Sequence, residues 1–493
     1  MKNIKTLGEL KTSGYVSKTL KEELRDNLIS SLREKKNLFS DIKGYEDTVI
    51  PQLESALLAK HNILFLGLRG QAKTRMARLM TRLMDEYIPA IAGSEIHEDP
   101  FAPMTRKSYD LIKEKGDDTP IEWIHSSKRY FEKLATPDVS VSDLIGDIDP
   151  IKAANLKLDF SDERVIHYGM IPRANRCIFV LNELPDLQAR IQVALFNILQ
   201  EGDIQIRGFN VRLPLDIQFV FTANPEDYTN RGSIVTPLKD RIEAQILTHY
   251  PSSLEVAKAI TAQEINLSES QKTQIEIPIL LHDLIENIAF VARDSEYIDQ
   301  KSGVSARLTI SAFENMVAVA ERRLLVNAET STSTRITDLY SILSSITGKV
   351  ELVYEGELEG ASNVAQYLIG KAIREQFKAI FPDPELIKKN KEIANPYTDL
   401  IDWFNNGNKL ELLKTENKEN YEQKLDDVPG LKELVLTHVK NIDKNETYLM
   451  MEFALYGLTE FSQLSKHQLV GGVEFKDLMS SMIDLDNFNF DEE

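Results

Sequence analysis

The feature that most constrains the fold is a short apolar run that passes through a glycine-bearing loop into a helix-forming stretch. The segment reads Asn62-Ile-Leu-Phe-Leu-Gly67-Leu-Arg-Gly70-Gln-Ala72-Lys73-Thr74-Arg-Met-Ala-Arg-Leu-Met80. A buried strand followed by such a loop and a helix N-terminus points backbone N–H groups at a polyphosphate. The Lys73 ammonium would reach the outer phosphates, and the Thr74 hydroxyl would bind Mg²⁺. The residues expected to hold the nucleotide are Gly67, Leu68, Arg69, Gly70, Gln71, Ala72, Lys73, Thr74 and Arg75.

This loop departs at one position from the usual phosphate-binding pattern, G-x-x-x-x-G-K-[ST]. Ala72 stands where the pattern has glycine, so a methyl group is added where the backbone approaches phosphate. Alanine can adopt loop geometry if its φ is negative, so we expect nucleotide binding to survive this change. An ordinary strand, turn and helix with a surface lysine is the alternative that the motif alone leaves open.

Composition indicates a globular protein and disfavours several other classes. The chain has 493 residues, of which 42% are hydrophobic and 27% charged, so its length alone predicts two to four structural units. No apolar stretch approaches the roughly eighteen residues that span a bilayer. The N-terminus lacks the apolar core of a secretion signal, and the lone Cys177 allows neither an internal disulfide nor a cysteine-based zinc cluster, so we expect a cytoplasmic location. The net charge of −19 disfavours a nucleic-acid partner.

Two further apolar runs end in polar residues. The first ends at Asn182 and Glu183, and the second ends at Asn224. Continuous rather than alternating hydrophobicity predicts parallel strands that are covered on both faces, and helical patterns follow each run. This alternation predicts a doubly wound α/β core, in which ligands bind at the carboxyl ends of the strands. A polar insertion is expected at about 90–132, and a hairpin that turns near Gly208 is expected at 201–214.

The polar residues at the strand ends suit ATP hydrolysis. Glu183 is placed to orient or deprotonate a water molecule, and Asn224 to hold that water or the γ-phosphate. Arg241 and Arg307 could approach the phosphates from outside the core and offset the charge that develops there. For either arginine alone, an exposed or salt-bridged surface position is the competing interpretation.

In this order the motifs resemble those of the AAA+ ATPases, and within them the branch of MoxR and the magnesium-chelatase I subunit. The resemblance covers about residues 43–325. The matching segments are an entry segment at 44–50, a Walker A loop at 67–74, the approach to Walker B at 169–183, the inserted hairpin at 201–214, sensor 1 at 222–226, the arginine-finger segment at 238–241 and sensor 2 at 305–307.

The resemblance implies a P-loop AAA+ α/β core, a parallel sheet flanked by helices, with an all-helical lid and a mainly helical C-terminal extension. The expected domains are an N-terminal helical segment at 1–42, the nucleotide-binding core at 43–250, the lid at 251–330 and the extension at 331–493. ATP and Mg²⁺ are the implied cofactors, and Arg241 would act in the nucleotide site of a neighbouring copy in a ring, commonly a hexamer. The implied function is remodelling of a partner, often one with a von Willebrand A domain.

Asn182 stands where the family has the aspartate associated with Mg²⁺. An amide oxygen can still accept a hydrogen bond from metal-bound water, but the negative charge is lost, so we expect slow or partner-stimulated hydrolysis. A nucleotide-gated scaffold with little or no hydrolysis is one alternative. A nucleic-acid motor is a weaker one, because the hairpin has few basic residues, and we find no helix-turn-helix of a transcription activator. The C-terminal third either binds a client or only extends the lid. Within it, the polar stretch 414–423 is expected as a loop or linker, and 484–493 as an acidic tail.

Overall fold

The computed structural model describes residues 4–160, 162–206, 212–225, 233–390, 394–469 and 471–478. The chain divides into two compact units, unit 1 (Met1–Tyr250) and unit 2 (Pro251–Glu493). The further domain boundaries expected at 42/43 and 330/331 stay predictions. In the part of the chain that is described, no helix combines the length and apolar character needed to cross a membrane.

Unit 1 alternates strands and helices. Its strands are β1 Ile63–Leu66, β2 Tyr87–Ile91, β3 Ile121–His125, β4 Tyr130–Leu134, β5 Gly146–Ile148, β6 Ile166–Tyr168, β7 Cys177–Asn182, β8 Asp203–Gln205, β9 Arg212–Pro214, β10 Ile217–Ala223 and β11 Ala244–Leu247. Its helices are α1 Leu7–Thr12, α2 Leu20–Arg33, α3 Val49–Leu58, α4 Lys73–Leu79, α5 Arg106–Lys115, α6 Val141–Leu144, α7 Pro150–Leu156, α8 Met170–Arg173, α9 Ala189–Glu201 and α10 Thr236–Asp240.

Five parallel strands form the core sheet in the order β11-β1-β10-β7-β4. Side chains alternate between the two faces of a strand, and here both faces are buried. Ile63 and Phe65 pack in a cluster with α2, α3 and α4, whereas Leu64 and Leu66 pack in a second cluster with α8 and α9. This two-sided burial explains the continuous apolar runs and confirms the predicted α/β core.

The N-terminal segment and the polar insertion both contribute to unit 1. Leucines of α2 lie in the same cluster as β1, so this helix covers one face of the core sheet. The segment 90–132 contains α5 and most of the antiparallel pair β2–β3. Its last residues, 130–132, belong to β4 and thus to the core sheet, so the expected insertion ends earlier than predicted.

The hairpin expected at 201–214 is present as the antiparallel pair β8–β9. Its predicted turn near Gly208 lies outside the described residues. The hairpin directly precedes β10 along the chain, so it lies between the helix α9 and the strand that Asn224 directly follows.

Unit 2 is mainly helical, as predicted. Its helices are α11 Leu254–Glu264, α12 Glu269–Gln274, α13 Ile279–Arg293, α14 Arg307–Val326, α15 Ile336–Leu339, α16 Leu343–Thr347, α17 Tyr354–Glu359, α18 Ala361–Ile380, α19 Pro384–Lys389, α20 Thr398–Asn405, α21 Lys418–Asp426, α22 Leu431–His438 and α23 Lys444–Glu460. Its strands are β12 Ile275–Glu276, β13 Thr332–Ser333, β14 Leu410–Leu413, β15 Ser465–Leu469 and β16 Gly472–Lys476. One hydrophobic cluster extends from Ile275 to Phe475.

Unit 2 departs from the expectations in three places. The lid is not all-helical, because the short strand β12 pairs with β13. The polar stretch 414–423, expected as a loop, enters α21, since Tyr421 and Leu425 are buried one helical turn apart. Strands β14, β16 and β15 add a small antiparallel sheet that the sequence did not predict. The expected acidic tail at 484–493 lies outside the described residues.

Candidate nucleotide site

The loop between β1 and α4 has two residues in the left-handed region. Gly70 has φ 75°, and Ala72, directly before α4, has φ 56° and ψ 16°. The negative φ at which alanine would fit this loop without strain is therefore not found. The loop keeps the left-handed backbone conformation that suits a glycine, and this conformation is strained because Ala72 has a Cβ atom.

Gly67 allows the loop to pack tightly against the end of β11. A Cβ atom at Gly67 would lie 1.9 Å from Thr248 Oγ1 and 2.2 Å from Gln71 Oε1. Thr248 Oγ1 donates a 2.7 Å hydrogen bond to that Gln71 oxygen, and the Tyr45 hydroxyl donates to the Gln71 carbonyl at 3.0 Å. These buried contacts fix the loop from behind, so its shape does not depend on the loop residues alone.

Lys73 opens α4 with a buried side chain. Its ammonium donates hydrogen bonds to the carbonyls of Gly67 and, at 3.0 Å, of Leu68. It also donates to Asn224 Oδ1 at 2.8 Å. The lysine therefore points back over the loop toward the end of β10, where the sequence predicted that the phosphates bind. Arg69 and Arg75 flank it, and the Arg69 carbonyl accepts a 2.9 Å hydrogen bond from the Tyr250 hydroxyl.

Asn224 connects the lysine with the predicted catalytic glutamate. Its Nδ2 donates to Glu183 Oε2 at 3.1 Å, while its Oδ1 accepts from Lys73. The sheet order explains this arrangement, because β10 lies between β1 and β7 and separates their ends by about 10 Å. Glu183 has φ 54° and ψ 52°, and its N–H donates to Thr222 Oγ1 at 3.1 Å. A strained non-glycine residue at a strand end is a frequent mark of a functional site.

Asn182 and Thr74 supply the oxygen atoms expected near Mg²⁺. Thr74 Oγ1 donates to Asn182 Oδ1 at 3.2 Å, and Thr222 Oγ1 donates to the same oxygen at 3.1 Å. Among the described residues, no group of three or more His, Cys, Asp and Glu side chains suits a metal ion. Neutral oxygens at this position nevertheless fit Mg²⁺, which keeps several waters and binds few protein ligands when phosphates are present.

A glutamate that sequence reasoning missed completes this part of the site. Glu132 on β4 accepts a 3.0 Å hydrogen bond from Asn182 Nδ2. It also accepts from Arg78 Nε at 3.0 Å and from the Tyr130 hydroxyl at 3.0 Å. The hydrogen bond to Glu132 raises the pKa of Arg78, while burial and then the Glu132 charge raise the pKa of Tyr130. No local sequence signal marks it, because it joins the site through the pairing of β4 with β7.

The two predicted arginines lie in different units. Arg241 follows α10, and its guanidinium contacts Asp240, lies 3.5 Å from Gln200 Oε1 and lies 5.4 Å from the centre of the Phe196 ring. Arg307 is exposed at the start of α14 in unit 2, and its N–H donates to Ser305 Oγ at 3.1 Å. Ala306 is the N-cap residue of this helix. The roles of both arginines stay predictions.

The comparison with protein families matches one segment of unit 1. Residues 157–246, which contain Asn182, Glu183, Asn224 and Arg241, match the family described as the Sigma-54 interaction domain. The matched range lies within unit 1 and agrees with the predicted AAA+ superfamily. The five-stranded parallel sheet flanked by helices confirms the predicted α/β fold class. No curated protein matches the chain.

Several solved structures are similar to the chain at low identity. A candidate ATPase from Cytophaga hutchinsonii is 18% identical, with 73% of this chain and 97% of that chain covered and a TM-score of 0.30. A chain from the complex of magnesium-chelatase subunits BchI and BchD is 17% identical, with 65% and 98% covered and a TM-score of 0.33. NtrX from Brucella abortus in complex with ADP is 13% identical, with 63% and 57% covered and a TM-score of 0.33. Similarity at this level does not define an activity.

Proposed function

We propose that this chain is a ring ATPase of the MoxR and magnesium-chelatase type, which binds and hydrolyses ATP with Mg²⁺ to remodel a partner protein. The observation that carries the proposal is the Asn224 amide, which accepts from Lys73 at 2.8 Å and donates to Glu183 at 3.1 Å. The lysine that would bind phosphate and the glutamate that would act as general base thus both contact the side chain of Asn224. The positive φ angles of Gly70 and Ala72, in the loop before α4, support the same proposal.

Each residue has a distinct task in this proposal. Lys73 exchanges its hydrogen bonds to the loop carbonyls for bonds to the outer phosphates, which concentrates positive charge where negative charge develops. Glu183 accepts a proton from the attacking water or orients it, and Asn224 keeps the Glu183 carboxylate in place. Mg²⁺ bound with the nucleotide would neutralise phosphate charge, and Thr74 with Asn182 would hold it there.

The oligomeric part of the proposal rests on Arg241. Its side chain is about 39% exposed, which leaves it accessible to another copy of the chain. We propose that Arg241 enters the nucleotide site of a neighbour in a ring, commonly a hexamer, and that Arg307 approaches the phosphates from the lid. In such a ring, Arg241→Ala subunits mixed with Lys73→Ala subunits should recover part of the lost activity, because only mixed interfaces hold an intact site.

Two measurements separate an ATPase from a nucleotide-gated scaffold. Calorimetric titration should show ATP binding that Lys73→Ala weakens roughly 10- to 100-fold, since a buried charge-assisted contact is lost. The exposed Lys60 gives a matched Lys→Ala control that should leave affinity unchanged. Phosphate release in the same samples decides between the functions. ATP binding without phosphate release, with or without candidate partners, would favour the scaffold.

The family match raises a second candidate for the client. The matched domain is named for an interaction with sigma-54, and the matched range 157–246 includes the hairpin β8–β9. A pull-down with Glu183→Gln, which should hold ATP and trap partners, distinguishes the clients. Recovery of a von Willebrand A protein supports the remodelling proposal, whereas ATP-dependent recovery of sigma-54 supports a role in transcription. A nucleic-acid motor is the weakest alternative, because the chain carries a net charge of −19.

A further inference from the structure

The Asn182 side chain has a single orientation that satisfies all its neighbours. It is 8% exposed, and its oxygen accepts hydrogen bonds from the hydroxyls of Thr74 and Thr222. Its amide nitrogen donates to Glu132 Oε1 at 3.0 Å. A flipped amide would bring its NH₂ group against Thr74 and turn its oxygen toward a carboxylate. Buried polar groups without partners are costly, so the neighbours decide which amide atom lies beside Thr74.

Among these neighbours, Glu132 is the group that sets the orientation. A hydroxyl can donate or accept, so Thr74 and Thr222 alone would also tolerate the flipped amide. An ionised carboxylate only accepts, so Glu132 requires the NH₂ group on its own side. Arg78 binds Glu132 with two nitrogen atoms, at 3.0 and 3.2 Å, and thereby holds the carboxylate in place.

The backbone keeps Glu132 beside Asn182. Strand β4 pairs in parallel with β7, and Leu134 is the register partner of Asn182, so Glu132 lies two residues before that partner. Residues two apart on a strand share a face, which allows Glu132 to reach Asn182 along one side of the sheet. Its side chain is 24% exposed, so its charge lies at the edge of the site rather than in open solvent.

We propose that Glu132 is a positioning residue that makes Asn182 an oxygen donor toward Mg²⁺ and keeps in the site the negative charge that an aspartate at 182 would carry. The proposal rests on the proposed nucleotide site. Together, the two side chains replace one aspartate at position 182, because Asn182 supplies the oxygen atom and Glu132 supplies the negative charge. Interactions that orient a metal-site oxygen from behind typically affect metal affinity 10- to 100-fold.

A double-mutant cycle on Glu132 and Asn182 tests this proposal without turnover. The four proteins are the wild type, Glu132→Gln, Asn182→Asp and the double variant. The probe is Mn²⁺ in the presence of ADP, and its binding is measured from the decrease of the paramagnetic resonance signal of free Mn²⁺. Glu132→Gln should weaken Mn²⁺ binding in the ADP complex at least about tenfold. In the Asn182→Asp background the same change should cause no such loss, since a carboxylate at 182 presents oxygen in either orientation and brings its own charge.

The controls separate positioning from a structural effect. Glu132→Gln should not weaken metal-free ADP binding, because it removes a negative charge near the phosphates. The matched variant Asp41→Asn, which removes another carboxylate paired with an arginine, should leave Mn²⁺ binding unchanged. An equal loss from Glu132→Gln in both backgrounds, or loss of metal-free ADP binding, would overturn the proposal. Failure of the wild type itself to bind ADP would instead refute the proposed nucleotide site.

Discussion

Substitution of Ala72 by glycine should stabilise the protein, which is the reverse of the usual effect of this change. Ala72 has φ 56° and ψ 16°, and the left-handed region costs a residue with a Cβ about 1–2 kcal/mol. Glycine adds freedom to the unfolded chain, which offsets roughly 0.5–1 kcal/mol of that gain. The expected net result is an increase of about 0.5–1 kcal/mol in the free energy of unfolding.

Urea unfolding followed by circular dichroism measures this difference, with Ala59→Gly as the matched control. Ala59 is exposed at the end of α3 with φ −81°, so glycine there should lower the free energy of unfolding by about 0.5–1 kcal/mol. The two variants should therefore shift the urea midpoint in opposite directions. ADP affinity of Ala72→Gly should not fall, because the backbone path of the loop is kept. An equal loss of stability in both variants would refute the reasoning about strain at Ala72.

Three other changes test the fold around the site. Glu23→Ala should lower the free energy of unfolding by about 3–5 kcal/mol in urea titrations, since it leaves the Arg129 guanidinium, 1% exposed, without its 2.7 Å carboxylate partner. Burial raises the pKa of Asp216 from 3.8 to about 6, so the folded state keeps the proton to a higher pH than the unfolded state does. The free energy of unfolding should therefore fall as the pH rises through this range. Relative to Asp216→Asn, the wild type should lose up to about 3 kcal/mol between pH 4 and pH 7, and a constant difference would contradict this. Gly67→Ala should weaken ADP binding in calorimetry, because its methyl group would meet Thr248 Oγ1 at 1.9 Å.

The elements that carry the site could be predicted from the sequence because the core strands are buried on both faces. β1 occupies the apolar run directly before Gly67, and β7 and β10 end within one residue of the predicted positions, since a continuous apolar run ends where the sheet ends. The convergence of Lys73, Glu183 and Asn224 followed from the rule that parallel strands align their carboxyl ends. Their hydrogen bonds agree with that rule.

What could not be predicted depends on neighbours that are distant in sequence. Ala72 has a positive φ although local sequence favours negative φ for alanine, and Thr248, which is distant in sequence, leaves together with Gln71 room only for glycine at position 67. Glu132 became part of the site only through the pairing of β4 with β7, which no local pattern reveals. In unit 2, the composition of α21 is mostly polar, so the sequence did not indicate that Tyr421 and Leu425 are buried on one side of a helix.

Phosphate release by the wild type and by Glu183→Gln, at equal ATP occupancy, tests the central claim most directly. The change keeps the side chain's shape and can keep its contact with Asn224, but it removes the group that takes up a proton from water. A general base contributes about 100- to 10,000-fold to a rate, so release should fall at least about 100-fold while ATP affinity stays the same. Equal turnover by the two proteins would contradict the account of this site as the catalytic centre of an ATPase.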